Sequence, residues 1–174
     1  MTLIKGVIEV DANILTKSVT MMVNSTMEIA LEVVYGRKLD PSYLVSRKDF
    51  LQESFWVWFQ EETLEVVRLE IFPREDPSKD AYECWDFPIN YSDDPNPEVR
   101  RAPSEDLKRF CETLKSLPPG ATYRFVVETA EGAKEIPGWT PTTLKALHPT
   151  IEMDFDETGY GYISGKVFYM GGTW

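Results

Sequence analysis

The sequence predicts a single domain of the α+β class spanning residues 1–174, with helices packed on an antiparallel sheet. Apolar residues recur with helical spacing over residues 18–35 and 104–117. They alternate with the period of a strand over residues 64–72, 81–89 and 121–128. Because the strands and helices do not follow a repeated βαβ order, a parallel α/β fold is not predicted.

The first predicted helix, residues 18–35, is apolar around most of its circumference. Thr20, Asn24, Glu28 and Glu32 lie along one polar strip, and most of the other positions of the helix are apolar. A helix of this kind is usually central and buried. Gly36 follows directly, where glycine commonly ends a helix.

The segments after this helix predict the remaining core. A turn at Asp40-Pro41 precedes a second helix, which Ser46 can cap and which ends near Glu62. The alternating segments 64–72 and 81–89 predict a hairpin with a wide polar loop. Ser104 can cap a third helix, which Pro118-Pro119-Gly120 ends, and a further strand follows. The remaining alternation, at residues 149–174, predicts a terminal hairpin.

Charge and hydropathy exclude several classes of partner. With 29 acidic and 18 basic residues the chain carries a net charge of -11, which disfavours nucleic acid and anionic lipid as partners. No apolar run is long enough to span a membrane, and the N-terminus lacks a signal-peptide pattern, so we expect a cytoplasmic protein. Cys84 and Cys111 form no metal-binding pair and predict buried, reduced thiols.

The motifs that could support catalysis or cofactor binding are incomplete. His148 is the only histidine, so multi-histidine metal sites and a Ser/His/Asp triad lack their usual residues. The glycines at 159, 161 and 165 have the spacing of neither a dinucleotide fingerprint nor a P-loop. Asp154, Asp156 and Thr158 resemble half of a calcium loop, but Gly165 occupies the position of its closing glutamate. We therefore expect no cofactor and no metal.

The strongest positive signal is a group of aromatic side chains in the C-terminal segment. They are Tyr160, Tyr162, Phe168, Tyr169 and Trp174. Such a group predicts a segment that packs over the protein's own core or over a bound peptide.

Four stretches together resemble the HORMA domains of the spindle checkpoint, of meiotic chromosome axes and of bacterial anti-phage (CBASS) operons. They are EVVYGRKLDPSYL at 32–44, LEVVRLEIF at 64–72, YECWDFPINY at 82–91 with its Trp85-Asp86-Phe87, and the capped helix at 104–117. The stretch KEIPGWTP at 134–141 is similar to the Pro- and Trp-bearing segment that precedes the family's mobile C-terminal region. The short connection at residues 36–63 is more similar to the compact bacterial members.

The resemblance implies a peptide-binding switch without catalytic residues of its own. A core at about residues 11–148 would bind a closure-motif peptide, and a C-terminal safety belt at about 149–174 would wrap it as an added strand. An AAA+ remodelling ATPase would act on the first ten residues, and the partner would be a nucleotidyltransferase similar to cGAMP synthase. The peptide site implied in this way comprises Leu107, Phe110, Cys111, Leu114, Ile151, Met153, Phe155, Tyr160, Tyr162, Val167 and Tyr169.

Two other classes of function fit parts of the sequence. The net charge of -11 and the five tryptophans are also compatible with an acidic immunity protein that binds a basic toxin. In that case the affinity would fall steeply with salt, whereas a peptide trapped under a belt would tolerate salt. Clustered carboxylates such as Glu61-Glu62 and Asp93-Asp94 would be needed for a hydrolase, but no pair of them stands out.

Overall fold

The computed structural model describes residues 4–6, 8–11, 16–92, 104–145, 150–155 and 163–170. In chain order its elements are β1 (Ile4–Gly6), β2 (Ile8–Asp11), α1 (Thr16–Gly36), α2 (Ser42–Ser46), α3 (Lys48–Gln60), β3 (Leu64–Pro73), β4 (Glu83–Ser92), α4 (Ser104–Thr113), β5 (Ala121–Thr129), β6 (Thr150–Phe155) and β7 (Ile163–Met170). Of β1, β2, β6 and β7 the backbone alone is described. The predicted α+β class is confirmed.

The strands form a sheet in the order β1-β7-β4-β3-β5. The central neighbours are antiparallel, with Leu69 opposite both Trp85 of β4 and Phe125 of β5. The outer edge of β4 is shared by two strands: Glu83 and Cys84 pair with β7, and β2 pairs in parallel with the far end of β4. Strand β6 pairs with β7, as the predicted terminal hairpin requires. Strand β5 lies at the opposite end of the sheet.

Helix α1 is the centre of the hydrophobic core, as its apolar circumference predicts. Its buried side chains are Val19, Met22, Val23, Met27, Ile29, Ala30, Val33 and Val34. Helices α3 and α4 both pack against it. On the sheet, Val67, Leu69, Ile71, Trp85 and Phe87 face the helices and join the same core. Burial of this many apolar side chains is the main stabilising contribution to the fold.

The end of α1 differs in detail from the prediction. The residue in the left-handed conformation is Lys38, with φ of 57°, and not Gly36. The amide of Leu39 donates to Val34 O (2.9 Å) and that of Lys38 to Tyr35 O (3.0 Å), which is the Schellman pattern. Gly36 is required for a different reason: a Cβ there would lie 2.7 Å from the sulfur of Cys111. It permits close packing of α4 on α1.

Two other helix boundaries also differ from the prediction. Ser46 does not cap a helix, because it is the last residue of α2, where its hydroxyl donates to Tyr43 O (2.9 Å). Helix α3 begins after Arg47 without a side-chain cap. Helix α4 ends at Thr113, before Leu117. At that end, Arg37, the residue after α1, donates to the carbonyls of Cys111 (3.3 Å) and Lys115 (2.6 Å). Because Pro119 has no N–H, the Lys115 carbonyl could not be bonded by a longer helix, and a side chain satisfies it instead.

The sheet face away from the helices is rich in charge. Arg68 and Glu70 of β3, Asp86 of β4 and Arg124 of β5 lie on it, because they alternate with the core-facing residues. Within the described ranges, no helix is long and apolar enough to cross a membrane.

Candidate functional site

Among the described strands, β5 forms one edge of the sheet. The bond from Arg74 N to Gly120 O (2.9 Å) extends the β3–β5 ladder and fixes its phase, so the even-numbered residues of β5 bond to β3. The backbone N–H and C=O groups of Phe125, Val127 and Thr129 therefore point away from the sheet. In the part of the chain that the structure describes, no other strand pairs with them. These groups are available to another extended segment.

An apolar cavity lies beside this edge. It has a volume of about 620 Å³ and lies between β5 and the segment formed by residues 133–142. Phe125 and Val127 line it from the strand, Ile136 and Trp139 from the facing segment, and Trp58 from α3. We call the β5 edge together with this cavity and its facing segment the β5 groove.

Two tryptophans, Trp139 of the facing segment and Trp58 of α3, hold this segment on the helix. Trp58 Nε1 donates to Lys134 O (2.8 Å), and Trp139 Nε1 donates to Ser54 Oγ (2.9 Å). The Trp139 ring packs 5.3 Å from that of Trp58 and 5.8 Å from that of Phe50. Gly138 has φ of +100°, and a Cβ there would lie 2.8 Å from the Phe50 ring. The wall of the groove is therefore preorganised.

Beyond the groove, residues 142–145 pass over the charged face of the sheet. Arg124 donates to Thr142 Oγ1 (3.1 Å), to Thr143 O (2.7 Å) and to Glu70 Oε2 (2.6 Å). The backbone amide of Lys145 donates to the second Glu70 oxygen (2.9 Å). The Glu70 carboxylate therefore joins the sheet to residues 142–145, which we call the crossing segment. Because the Glu70 side chain is fully buried, water does not compete for these hydrogen bonds.

The two predicted peptide-site residues whose side chains the structure describes, Cys111 and Leu114, lie away from the β5 groove. Cys111 and Leu114 are 1% and 6% exposed and border a separate cavity between α1 and α4. Burial raises the pKa of the Cys111 thiol to about 12, and it also raises that of Cys84. Both are buried free thiols, as predicted. Neither Cys111 nor Leu114 borders the β5 groove.

The other predicted site residues are described only in part. Ile151 pairs with Tyr169 and Met153 with Val167 in the hairpin of β6 and β7, beside β4 and away from β5. Phe155 pairs with Gly165 in the same hairpin. The side chains of these residues and those of Leu107 and Phe110 lie outside the description, as do Tyr160 and Tyr162 altogether.

The residues of the β5 groove were absent from the predicted site. The sequence carries one signal for them, the stretch 134–141, which contains Ile136 and Trp139. Phe125 and Val127 follow an ordinary strand pattern, which does not reveal whether the strand lies inside a sheet or at its edge. That distinction depends on where the C-terminal hairpin docks.

Among the side chains that the structure describes, each buried carboxylate of the sheet is paired with an arginine. Arg37 forms a bidentate pair with Glu83, Arg68 with Asp86, and Arg124 binds Glu70. Among the described residues, no group of three or more His, Cys, Asp or Glu could hold a metal ion. The Arg68–Asp86 and Arg124–Glu70 pairs lie on the face away from the helices and the Arg37–Glu83 pair lies on the helix side, and all three are structural ion pairs.

Comparison with known proteins identifies the family. The family model for Bacterial HORMA domain 2 matches residues 7–159. The chain belongs to the HORMA domain family. Proteins of this family are binding adaptors and not enzymes. No curated protein sequence matches the chain.

Solved HORMA structures share the fold of this chain. A chain in the crystal structure of the mitotic checkpoint complex has a TM-score of 0.66 at 12% identity, covering 87% of this chain and 98% of that one. C. elegans HTP-2 bound to HTP-3 closure motif 1 has a TM-score of 0.59 at 12% identity, covering 87% and 84%. C. elegans HTP-2 bound to the HIM-3 closure motif has a TM-score of 0.63 at 10% identity, covering 91% and 90%.

Proposed function

We propose that this HORMA domain captures an extended peptide of a partner protein as an added strand along β5. The observation that carries the proposal is the β5 groove: an unpaired strand edge beside an apolar cavity of about 620 Å³ with a preorganised wall. In β-strand addition, main-chain hydrogen bonds supply affinity and side-chain pockets supply specificity. HTP-2, which shares the fold of this chain, is bound to closure motifs, and this supports a peptide-binding role for this chain.

The C-terminal region would retain the peptide in this proposal. Residues 133–142 wall the groove, and residues 142–145 lead away from it across the sheet. The hairpin of β6 and β7 lies on the far side, beside β4. A peptide on β5 would thus be enclosed by a chain segment anchored at both ends, with 149–174 as the closing part of the belt and about 11–148 as the core of the single domain.

The N-terminal strands provide a point where an AAA+ ATPase could act. Strand β1 pairs with β7, and β2 pairs with β4 next to the β7 contact. Pulling on the first ten residues would therefore remove the strands that flank the hairpin. We propose that such remodelling releases the peptide, and that the captured partner is a cytoplasmic nucleotidyltransferase similar to cGAMP synthase, activated in anti-phage defence.

The immunity-protein hypothesis receives less support from the packing. Trp85 and Trp58 are 0% and 4% exposed and belong to the core, and Trp56 and Trp139 are half-buried against it. All four pack against the core, so they do not form a patch of exposed tryptophans, although Trp58 and Trp139 also line the β5 groove. Salt titration of the affinity for a captured partner separates the hypotheses, since a peptide on β5 should tolerate salt.

The backbone edge can be tested with one substitution. Val127→Pro removes an N–H that points away from β3, so the sheet keeps its ladder while an added strand loses a hydrogen bond. Selection of random twelve-residue peptides displayed on phage against the wild-type chain supplies the probe. We expect the selected peptides to bind Val127→Pro roughly 10- to 100-fold more weakly by fluorescence polarisation.

The matched control is Val127→Ala, which removes apolar side chain but keeps the N–H. It should bind the same peptides more tightly than Val127→Pro does. Equal affinities of Val127→Pro and the wild type, with both proteins folded by circular dichroism, would refute capture along β5.

A further inference from the structure

A second, smaller cavity continues the β5 groove. It has a volume of about 180 Å³ and shares Phe125, Trp139, Thr140 and Thr142 with the first cavity. Its other lining residues include Tyr43 of α2, Arg47 and Phe50 of α3, together with Arg124 of β5 and Gly138; Arg47 lies between the two helices. A strand added to β5 could therefore place side chains in both cavities.

The charge of this second cavity is opposite to that of the chain. Among the described residues that line it, Arg47 and Arg124 are the charged ones, and neither Asp nor Glu is present. The whole chain has a net charge of -11. Since Arg124 is already bonded to Glu70 and Thr143, Arg47 is the cation left for a ligand.

Arg47 is positioned for such a role by two aromatic rings. Its guanidinium carbon lies 5.9 Å from the centroid of the Tyr43 ring and 5.6 Å from that of Phe50. No carboxylate of the described residues lies within ion-pair distance of it. An arginine held against aromatic rings loses little freedom on binding, and its planar set of donors matches the two oxygens of a carboxylate.

We propose that the peptide captured along β5 carries an aspartate or glutamate whose carboxylate binds Arg47 in this cavity. The inference deepens the proposed function and rests on it. Both cavities adjoin α3, through Trp58 in one and Phe50 in the other, so both lie on the helix side of β5. Alternate side chains of a strand share a side, so the acidic residue stands an even number of positions from the apolar residue in the larger cavity.

The test compares phage-displayed random twelve-residue peptides selected on the wild-type chain and on Arg47→Glu. Wild-type binders should show an acidic position at an even distance from an apolar one. On Arg47→Glu, that position should change to Lys or Arg while the apolar position is kept. A synthetic wild-type binder is then compared with the same peptide in which the acidic residue is changed to the corresponding amide. The amide peptide should bind the wild-type chain about tenfold more weakly than the acidic peptide does, and the two peptides should bind Arg47→Gln with affinities equal within about twofold.

The outcomes separate this inference from the proposed function. Binders that share an apolar position but no acidic one, or an acidic preference that persists on Arg47→Glu, would overturn the role of Arg47 and leave capture along β5 intact. Failure to enrich any peptide on the folded wild-type chain, or equal enrichment on Val127→Pro, would overturn both.

Discussion

Single arginines connect the elements of this domain through buried carboxylates. Arg37 shows the arrangement most clearly: it follows α1, pairs with Glu83 of β4 and donates to the carbonyls of Cys111 in α4 and of Lys115 just after it. Trp85 Nε1 donates to the same carboxylate (3.1 Å). Because both members of the pair are almost fully buried, neither can exchange its partner for water.

Removal of Arg37 should strongly destabilise the domain. Arg37→Met leaves the Glu83 carboxylate buried without its cation, and we expect the free energy of unfolding to fall by about 3–5 kcal/mol. Urea unfolding followed by tryptophan fluorescence measures the change. The control is Arg74→Met, an exposed arginine, which should change stability by less than about 0.5 kcal/mol. A loss below about 1 kcal/mol for Arg37→Met would contradict the role assigned to the pair.

At the scale of elements, the segment that crosses the sheet depends on Glu70. This carboxylate binds Arg124 and the backbone amide of Lys145, and the Lys145 ammonium group lies 4.4 Å from the Phe72 ring centroid. The crossing segment has no regular secondary structure. Its position is therefore determined by these side-chain contacts and not by a ladder.

Substitution of Glu70 should release the crossing segment. In Glu70→Ala the Lys145 amide loses its acceptor, and we expect its hydrogen exchange to accelerate by about five- to tenfold, which corresponds to one hydrogen bond of about 1 kcal/mol. Exchange followed by NMR measures this directly. Glu128→Ala, which removes a half-exposed carboxylate from the same face, should leave the Lys145 amide unchanged. Equal exchange in Glu70→Ala and the wild type would refute the anchoring role.

Local pattern was sufficient for the long elements and insufficient for their ends. The apolar circumference of α1 and the alternation in β3, β4 and β5 predicted those elements within a few residues. At the end of α4, the Lys115 carbonyl is bonded by Arg37, which is distant in the sequence, so local pattern does not reveal this contact. Strands β1 and β2 were not predicted, because they are only 3 and 4 residues long and pair with partners far away in the sequence.

For the whole molecule, the position of the C-terminal hairpin determines which edge of the sheet is open. Since β7 and β2 share the outer edge of β4, β5 is the other end of the sheet among the strands that the structure describes. The resemblance implied a peptide under a belt with its floor on α4, whereas the proposed capture along β5 rests on the sheet order of the structure. The predicted floor on α4 instead contains Cys111 and Leu114 in core positions.

Removal of residues 156–174 should separate folding from capture. The truncated protein lacks β7 but keeps α1 to α4 and the β3–β5 part of the sheet, so we expect a cooperative unfolding transition with reduced stability. Its affinity for a peptide selected on the wild type should fall by at least about 100-fold, because the belt can no longer be anchored beside β4. Fluorescence polarisation and thermal unfolding measure the two properties. Unchanged peptide affinity in a folded truncated protein would contradict the belt.

Amide hydrogen exchange along β5 tests peptide capture most directly, measured by NMR with and without a phage-selected peptide. In the free protein the amides of Arg124 and Val126, which bond to β3, should be protected, and those of Phe125 and Val127 should exchange faster. On binding, we predict that Phe125 and Val127 become protected while the even-numbered amides change little. Peptide binding that leaves Phe125 and Val127 unprotected, with new protection on α4 or the terminal hairpin, would contradict the account.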